Sequence, residues 1–180
     1  MTTGTLTKRI EKSQEKIEDD ARDYIGASSI GSDCLRQIWY QFKGVKAEGV
    51  PTKTRRTWAI GKRLEGMILD WLEECGIEIA RKWYDLQAKE IPFFKGHLDS
   101  VWTKKGEAFA IIEVKTAKDA SFKVFVKKGV KVWNPQYYAQ IQAYMGMSGI
   151  FSTYILVLNK DNSDLFDELV TFDPVFYEKL

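Results

Sequence analysis

Two carboxylates and a lysine lie where the surrounding residues predict β-strands. Asp99 follows the segment 94–98, and Glu113 and Lys115 are two residues apart in the otherwise apolar segment 109–115. Because alternate side chains of a strand share a face, Glu113 and Lys115 are expected on one side, about 7 Å apart along the backbone. The intervening residues are numerous enough for a hairpin that sets Asp99 beside Glu113.

This set of residues suits the hydrolysis of phosphodiester bonds without a histidine. Two neighbouring carboxylates repel each other unless a divalent cation lies between them, and carboxylate oxygens suit Mg²⁺ or Mn²⁺. The cation activates water and stabilises charge on the phosphate, while an adjacent lysine orients or deprotonates the water or neutralises the phosphate. The alternative is a structural ion pair in which Asp99 or Glu113 binds Lys115 across the strands.

Glu65 is a third carboxylate in a position where an apolar residue would be expected. The pattern of residues 54–74 predicts a long helix, and Glu65 falls on its apolar arc between Trp58 and Leu72. Because an unpaired buried charge is costly, Glu65 is expected to bind an arginine, a lysine or a metal ion. An ordinary salt bridge, or an edge position that reaches solvent, is the alternative.

The elements that must position these residues follow from the periodicity of the rest of the chain. Three helices precede a group of strands, and a fourth helix separates that group from two final strands. This order predicts an α/β or α+β fold with a mixed central sheet flanked by helices. The predicted helices are 5–24, 34–43, 54–74 and 134–147; the predicted strands lie within 77–91 and at 94–103, 107–116, 151–158 and 166–172.

Composition excludes several classes of protein. With 180 residues, 44% of them hydrophobic and 29% charged, the chain predicts one globular domain rather than a disordered or membrane protein. No apolar run is long enough to cross a bilayer and no signal-peptide pattern is present, so we expect a cytoplasmic protein. One histidine and two cysteines, Cys34 and Cys75, exclude a multi-histidine zinc site and a disulfide framework.

Positive charge is concentrated in two segments on either side of the carboxylates in the sequence. Residues 43–63 and 115–131 are rich in lysine and arginine and nearly free of acidic residues. Such clusters bind nucleic-acid phosphates, and nearby aromatic rings can stack on exposed bases. The alternative is a solvated lysine face backed by core aromatics. The candidate rings are Trp58, Phe122, Phe125 and Trp133.

Four motifs, whose order along the chain is that of the family, resemble one family of nucleases. Asp99 followed by Glu113-Val114-Lys115 resembles the D…ExK core of the PD-(D/E)xK nuclease superfamily, although Leu98 replaces the proline of its name. Segment 140–144 resembles the QxxxY motif of the RecB-like and phage lambda-exonuclease-like branch. Segment 28–36 resembles the S-S-x₄-C-x-R signature of that branch. Glu65 lies where the branch places an acidic residue or a histidine, on the helix before the sheet.

The resemblance implies a fold and a set of site residues. The fold is a restriction-endonuclease-like core in a single domain, 1–180, in which N-terminal helices and a loop, 1–53, precede the catalytic core, 54–180. Glu65, Asp99 and Glu113 would hold Mg²⁺, or Mn²⁺ as a substitute, together with the backbone carbonyl of Val114. Lys115 would position the attacking water. The implied nucleic-acid contacts are Ser29, Arg36, Gln140 and Tyr144, and the basic segment adds Lys118, Lys123, Lys127 and Lys128.

The chain differs from the cluster-bearing members of this superfamily. They add three cysteines near the C-terminus, and no cysteine follows Cys75 here. No iron–sulfur cluster is therefore expected, and Cys34 is predicted to be a small buried apolar residue. The motif GxxxxGK[ST] is absent from the sequence, so no helicase motor is expected within it.

The function that the resemblance implies is metal-dependent hydrolysis of DNA. We expect an exonuclease that processes double-stranded ends in phage or mobile-element recombination and repair, in the host cytoplasm if the protein is phage-encoded. A single-strand annealing or recombination protein is a candidate partner. The alternatives are an endonuclease, a CRISPR-adaptation-type trimming nuclease without the cluster, a catalytically idle module that binds DNA ends, and a fold with no nucleic-acid role.

Overall fold

The computed structural model describes residues 4–15, 23–45, 49–81 and 84–180. Its helices are α1 Thr5–Glu15, α2 Leu35–Phe42, α3 Thr52–Glu74, α4 Asp119–Lys128, α5 Val130–Trp133, α6 Pro135–Ser148 and α7 Pro174–Tyr177, with a 3₁₀ turn at Ala27–Ser29. Its strands are β1 Ile25–Gly26, β2 Ile79–Ala80, β3 Tyr84–Gln87, β4 Phe94–Leu98, β5 Ser100–Lys104, β6 Glu107–Ala117, β7 Ser152–Asn159 and β8 Leu165–Thr171.

The strands form two mixed sheets, which confirms the predicted mixed α/β class. The larger sheet has the order β2-β5-β6-β7-β8, and only β6 and β7 are parallel in it. The smaller sheet has the order β1-β4-β3, in which β1 and β4 are parallel. Strand β6 is therefore at the centre of the larger sheet, as its two apolar faces predict.

Both faces of β6 are covered by helices. Ile111 belongs to a core cluster that includes Ile141 and Met145 of α6. Ile112 and Val114, on the opposite face, pack with Ile68 and Leu69 of α3 in a second cluster. The end of β6 that carries Glu113 and Lys115 thus lies in a layered structure with α6 on one side and α3 on the other.

Helix α6 begins and ends at residues with strong local preferences. The side chain of Asn134 accepts hydrogen bonds from the backbone N–H groups of Gln136 and Tyr137, each 3.1 Å long, and Pro135 fills the first turn. Gly149 ends the helix with a φ of 74°. Every residue from Tyr138 to Met145 is buried, so this helix is enclosed by the fold and its polar side chains must find partners inside it.

The prediction of one continuous strand over 94–103 is wrong, because the segment forms two strands, β4 and β5. The chain bends at Asp99, so that β4 pairs with β1 and β3 whereas β5 pairs with β2 and β6. These pairings involve distant segments of the chain, which the alternation of residues 94–103 does not encode. The bend places Asp99 at the junction of the two sheets.

Other predictions need correction where side chains are concerned. Trp58 is 59% exposed, because the buried residues of α3 are Ile68 and Leu69, farther along the helix. Phe122 and Phe125 are buried in the core and are not available for stacking on bases. Cys34 is exposed, since it lies at the start of α2 and outside the core.

The ends of the chain also differ from the predictions. The first predicted helix is confirmed over Thr5–Glu15; residues 16–22 lie outside the described residues, and residues 23 and 24 form a bend. The N-cap of α2 is Cys34, which makes no side-chain cap hydrogen bond. Helix α7 was not predicted. In the described part of the chain, no helix is both long and apolar enough to cross a membrane.

Candidate active site

Asp99 and Glu113 lie at the same end of the β5–β6 hairpin. Ser100 is paired with Ile112 in the antiparallel ladder, so the residues that follow this pair toward the open end are Asp99 and Glu113. Glu113 is only 1% exposed, and Asp99 is half-buried at the bend. The hairpin predicted from the sequence therefore sets the two carboxylates beside each other, at an end of the sheet that helices enclose.

Lys115 binds the buried carboxylate directly. Its Nζ donates a hydrogen bond to Oε1 of Glu113, and its side chain is 19% exposed. The other oxygen, Oε2 of Glu113, is buried and has no hydrogen-bond partner. A buried carboxylate oxygen without a partner is unfavourable in a folded protein. This oxygen is the observation that most directly favours a cation site at Glu113.

Glu65 reaches the same cluster from α3. Its side chain is 17% exposed, and Oε1 accepts a hydrogen bond from Nζ of Lys62 at 3.2 Å. Burial raises the pKa of Glu65, and the negative charge of Asp99 raises it further, while Lys62 and Lys115 oppose the shift. Glu65 therefore lies within electrostatic range of both Asp99 and Lys115, as expected if the four groups form one site.

Burial and the charges of neighbouring groups also shift the pKa values of Glu113 and Lys115. Burial raises the pKa of Glu113; the charge of Lys115 opposes this rise and that of Asp99 adds to it. Burial on its own would lower the pKa of Lys115, but the charge of Glu113 and the hydrogen bond to it outweigh that effect and raise the pKa. In this state the lysine is a firmly protonated cation.

The residues present fit a divalent cation in their chemistry. Three carboxylates face two lysines, and the donor atoms are hard oxygens. In the described residues, no group of three or more His, Cys, Asp or Glu side chains is arranged closely enough to hold a metal ion as it stands. Lys115 and Lys62 instead bind one oxygen each of Glu113 and Glu65, and Oε2 of Glu113 has no hydrogen-bond partner.

Gln140 and Tyr144, the pair of the QxxxY segment, are buried on α6 and bind each other. The amide Nε2 of Gln140 donates a hydrogen bond to the hydroxyl of Tyr144 at 2.7 Å. Burial raises the pKa of Tyr144, and the charge of Glu113 raises it further. A Cβ at position 96 would lie 2.6 Å from the ring of Tyr144. Gly96 on β4 is thus the residue that lets this ring approach the carboxylates.

Of the other predicted nucleic-acid contacts, Ser29 lies near the start of α6 and Arg36 lies on α2. Ser29 is half-buried in the 3₁₀ turn, and the side chain of Gln136 donates a hydrogen bond to the carbonyl of Ser28 at 2.7 Å. Gly31 packs against the backbone of Gln136. A polar pocket is lined by residues 31–34 and 134–136. Arg36 is exposed on α2, so the structure gives neither Ser29 nor Arg36 a described contact with the carboxylate cluster.

The predicted lysine contacts on and near α4 are exposed, but they are not equivalent. Lys118 precedes the helix, and Lys127 and Lys128 lie in its last turn. Lys123 forms an ion pair with Asp119 at 2.7 Å. The charge of Lys123 is therefore shared with a carboxylate of the protein, whereas the other three present theirs to solvent.

Two features of the site were missed or left open by the sequence. Tyr137 places its ring 4.8 Å from Nζ of Lys115. Its spacing on α6 relative to Gln140 and Tyr144 was the available signal, since all three share a helix face. The single histidine, His97, binds Asp85 at 2.7 Å and lies 3.3 Å from the hydroxyl of Tyr24, so its described partners do not include Asp99 or Glu113.

Comparison with known proteins is consistent with this site. A family model described as the YqaJ-like viral recombinase domain matches residues 11–150. A search of curated proteins found no significant match. The fold is similar to that of an alkaline exonuclease, LHK-Exo, from Laribacter hongkongensis, with 14% sequence identity and a TM-score of 0.65 over 96% of this chain and 86% of that chain.

Two further solved structures have the same fold. LHK-Exo in complex with dAMP is 17% identical, with a TM-score of 0.66 over 87% of this chain and 81% of that chain. A phage-related exonuclease from Haemophilus somnus 129PT is 14% identical, with a TM-score of 0.60 over 87% of each chain. The family match covers most of the sequence and agrees with the D…ExK and QxxxY motifs. The chain therefore belongs to the YqaJ-like viral recombinase domain family, with the PD-(D/E)xK nuclease fold of the lambda-exonuclease-like branch.

Proposed function

We propose that this protein is a metal-dependent DNA exonuclease that hydrolyses phosphodiester bonds at double-stranded ends during phage or mobile-element recombination and repair. The family, which is that of a viral recombinase domain, supports this function, as do the exonucleases that share the fold. The observation that carries the proposal is the carboxylate of Glu113, which is buried next to Asp99 and Glu65 with one oxygen left without a partner.

The proposed metal ligands are Asp99, Glu113 and Glu65, together with the backbone carbonyl of Val114. Mg²⁺ is the proposed ion and Mn²⁺ its substitute, because both prefer oxygen ligands and keep water in their shell. When bound, such an ion supplies Lewis-acid stabilisation of the charge on the phosphoryl oxygens. Its presence would also relieve the repulsion among the carboxylates, which is the cause of part of the pKa rise at Glu65 and Glu113.

Lys115 is proposed to act as a fixed cation. Because the pKa of Lys115 is raised, it retains its proton at neutral pH in this state and is a poor general base. Its N–H groups would hold the attacking water in line with the phosphorus atom, and its charge would stabilise the negative charge that develops on the phosphate. Tyr144, within range of the charge of Glu113, and its hydrogen-bond partner Gln140 would present polar groups to the DNA backbone from α6.

The substrate end is proposed to bind near the start of α6. Ser29 and Arg36 would contact the terminal phosphate together with Gln140, and the pocket at residues 31–34 and 134–136 gives a polar recess close to Ser29. The exposed lysines of the α4 region would bind the DNA backbone without regard to sequence. The remaining single strand is the product that a single-strand annealing or recombination protein would take up.

Digestion of end-labelled duplexes tests this proposal. Linear and circular forms of one DNA are incubated with the protein and Mg²⁺, Mn²⁺, Ca²⁺ or a chelator, beside the variant Glu113→Gln. The proposal predicts mononucleotides from the linear form with Mg²⁺ or Mn²⁺, and an intact circle. Cleavage of the circle would indicate the endonuclease alternative. Tight binding of ends without cleavage under any metal would indicate the idle binding module.

A further inference from the structure

The ammonium group of Lys115 lies between two partners of different character. It donates a hydrogen bond to Oε1 of Glu113 and lies over the ring of Tyr137, 4.8 Å from the ring centroid. Tyr137 is half-buried, in the first turns of α6. The face of an aromatic ring attracts a cation through its quadrupole, and the attraction is stronger where water is largely excluded. Lys115 therefore has a second partner besides the buried carboxylate.

The two partners differ in what they can do once a metal ion is bound. A carboxylate oxygen that coordinates a divalent cation is no longer a good acceptor for an ammonium group, and the two cations repel each other. If the ion takes the unpartnered Oε2 of Glu113, this repulsion weakens the hydrogen bond from Lys115 to Oε1. The ring face of Tyr137 offers no ligand to a metal ion, so it can retain the ammonium group without competing for the metal.

Tyr137 is held in place by contacts that do not involve Lys115. Its ring packs on that of Trp133, with centroids 5.5 Å apart, and Trp133 packs on the buried Phe125 at 5.0 Å. The indole N–H of Trp133 donates a hydrogen bond to Ser121 on α4 at 2.7 Å. The backbone N–H of Tyr137 donates to the cap residue Asn134 at 3.1 Å. The ring is thus fixed by core packing and by the helix cap.

We propose that Tyr137 is the positioning residue for Lys115: its ring face holds the ammonium group beside the position of the reacting phosphate, and would do so whether or not Glu113 held a metal ion. This inference rests on the proposed nuclease function. It assigns to the ring, and not to the hydroxyl, the task of keeping Lys115 aimed at the attacking water. A leucine at this position would keep an apolar contact with Trp133 but would leave the ammonium group free to rotate.

Single-turnover cleavage by two variants tests the role of the ring. At saturating Mg²⁺ and DNA, we expect Tyr137→Phe to cleave within about twofold of the parent, because the ring face is kept. We expect Tyr137→Leu to be about tenfold slower, with unchanged DNA affinity. In the metal-free protein with ¹³C-labelled lysine, the ε-methylene protons of Lys115 should show an upfield ring-current shift that persists in Tyr137→Phe and is lost in Tyr137→Leu.

A double variant and a matched control separate positioning from stability. If Tyr137 acts through Lys115, then Tyr137→Leu should have no further effect on the rate in a Lys115→Ala background. The control is Tyr138→Leu, which removes a neighbouring ring on α6 that carries Lys131 at 4.9 Å, away from the proposed catalytic lysine. It should lower the melting temperature and leave the rate per folded molecule unchanged.

Three outcomes would overturn this inference while leaving the proposed function in place. In the first, Tyr137→Leu cleaves at the parental rate while Lys115→Ala is inactive. In the second, Tyr137→Phe and Tyr137→Leu lose the same fraction of the cleavage rate. In the third, the double variant loses as much rate as the two single variants together. Parental cleavage by Lys115→Ala would instead remove the proposed catalytic role of Lys115, and the positioning role of Tyr137 with it.

Discussion

Helix α3 contributes to two clusters of charged side chains that are built in opposite ways. Near its end, Arg81 binds Asp70 at 2.7 Å and Glu73 at 2.6 and 2.9 Å, on a surface where the Asp70 side chain is 60% exposed. Near its middle, Glu65 approaches Asp99 and the fully buried Glu113. The first cluster joins two acids to one base on an exposed surface, and the second joins three acids to two bases around the buried carboxylate of Glu113.

The difference separates an ordinary exposed ion pair from a candidate functional site. Exposed pairs contribute about 0–1 kcal/mol, and every described group around Arg81 has a bonded partner. In the buried cluster, the carboxylates raise one another's pKa and one oxygen of Glu113 has no partner. Such an arrangement lowers stability in the absence of a ligand, and clusters of this kind are concentrated at active sites. The sequence alone left the ion-pair reading open for both Glu65 and Glu113.

The largest expected effect is on the chemical step. Lys115→Ala should slow single-turnover cleavage about 10²–10⁴-fold while leaving Mg²⁺ and DNA binding nearly intact, because the lysine holds water and transition state rather than metal. Arg81→Ala is the matched control from the exposed cluster, and we expect it to cleave at the parental rate. If Lys115→Ala stays within about threefold of the parent and only loses stability, the two clusters are equivalent ion pairs.

Metal affinity gives the next largest effect. Glu65→Gln should weaken Mg²⁺ binding, measured by calorimetry, about 10–100-fold, with a parallel loss of activity at limiting Mg²⁺ and an intact fold. The matched control is Glu73→Gln, the same change on the exposed side of α3. A salt-bridge role for Glu65 would give the opposite pattern, namely a lower melting temperature with normal Mg²⁺ affinity.

The lysines of α4 should affect DNA affinity more modestly. Neutralising Lys123, Lys127 and Lys128 should weaken binding similarly for all sequences and flatten the salt dependence, by roughly one unit of slope per lost phosphate contact. Because Lys123 is paired with Asp119, we expect Lys127→Gln/Lys128→Gln to cause most of the change. Lys105, in the turn at the far end of the β5–β6 hairpin, is the control. An unchanged slope in the triple variant would exclude this surface.

The smallest effect is on stability and depends on pH. Because the folded pKa of Glu65 is raised above its ordinary value of 4.5, the folded state binds protons more tightly than the unfolded state. The free energy of unfolding therefore falls as pH rises from 4.5 through the raised value. With chelator at pH 7.5, Glu65→Gln should be up to about 1 kcal/mol more stable than the parent. Urea unfolding should show this advantage vanishing near pH 4, and a constant difference across pH would contradict it.

The parts of the site that the sequence predicted are those that depend on local structure. Asp99, Glu113 and Lys115 lie on one hairpin, where strand alternation and a short turn determine which residues meet. The ends of α6 could be predicted equally well, because Asn134, Pro135 and Gly149 start and stop the helix through local backbone preferences. Glu65 required the family resemblance, since nothing in the helix pattern tells which strand α3 covers.

The features that escaped prediction depend on distant segments. No glycine or proline marks Asp99 as a bend, and the break there follows from the pairing of β4 with β1 and β3. Trp58 was expected on the buried arc of α3, but burial along that helix depends on where the sheet lies beneath it. The ring of Tyr137 contacts Lys115 only because α6 packs across β6. The sequence therefore predicts that Tyr137 shares a helix face with Gln140 and Tyr144, but not that it contacts Lys115.

A crystal structure with Mn²⁺ tests the central claim most directly, because the anomalous signal locates the ion without reference to activity. The protein is crystallised with MnCl₂ beside the Glu113→Gln variant. We expect an anomalous peak in contact with the carboxylates of Asp99 and Glu113, with Lys115 displaced from Oε1 toward the ring of Tyr137, and no peak in the variant. A Lys115–Glu113 ion pair that persists with no ion between the carboxylates, or an ion bound only elsewhere, would contradict the assignment of this cluster as a metal-dependent nuclease centre.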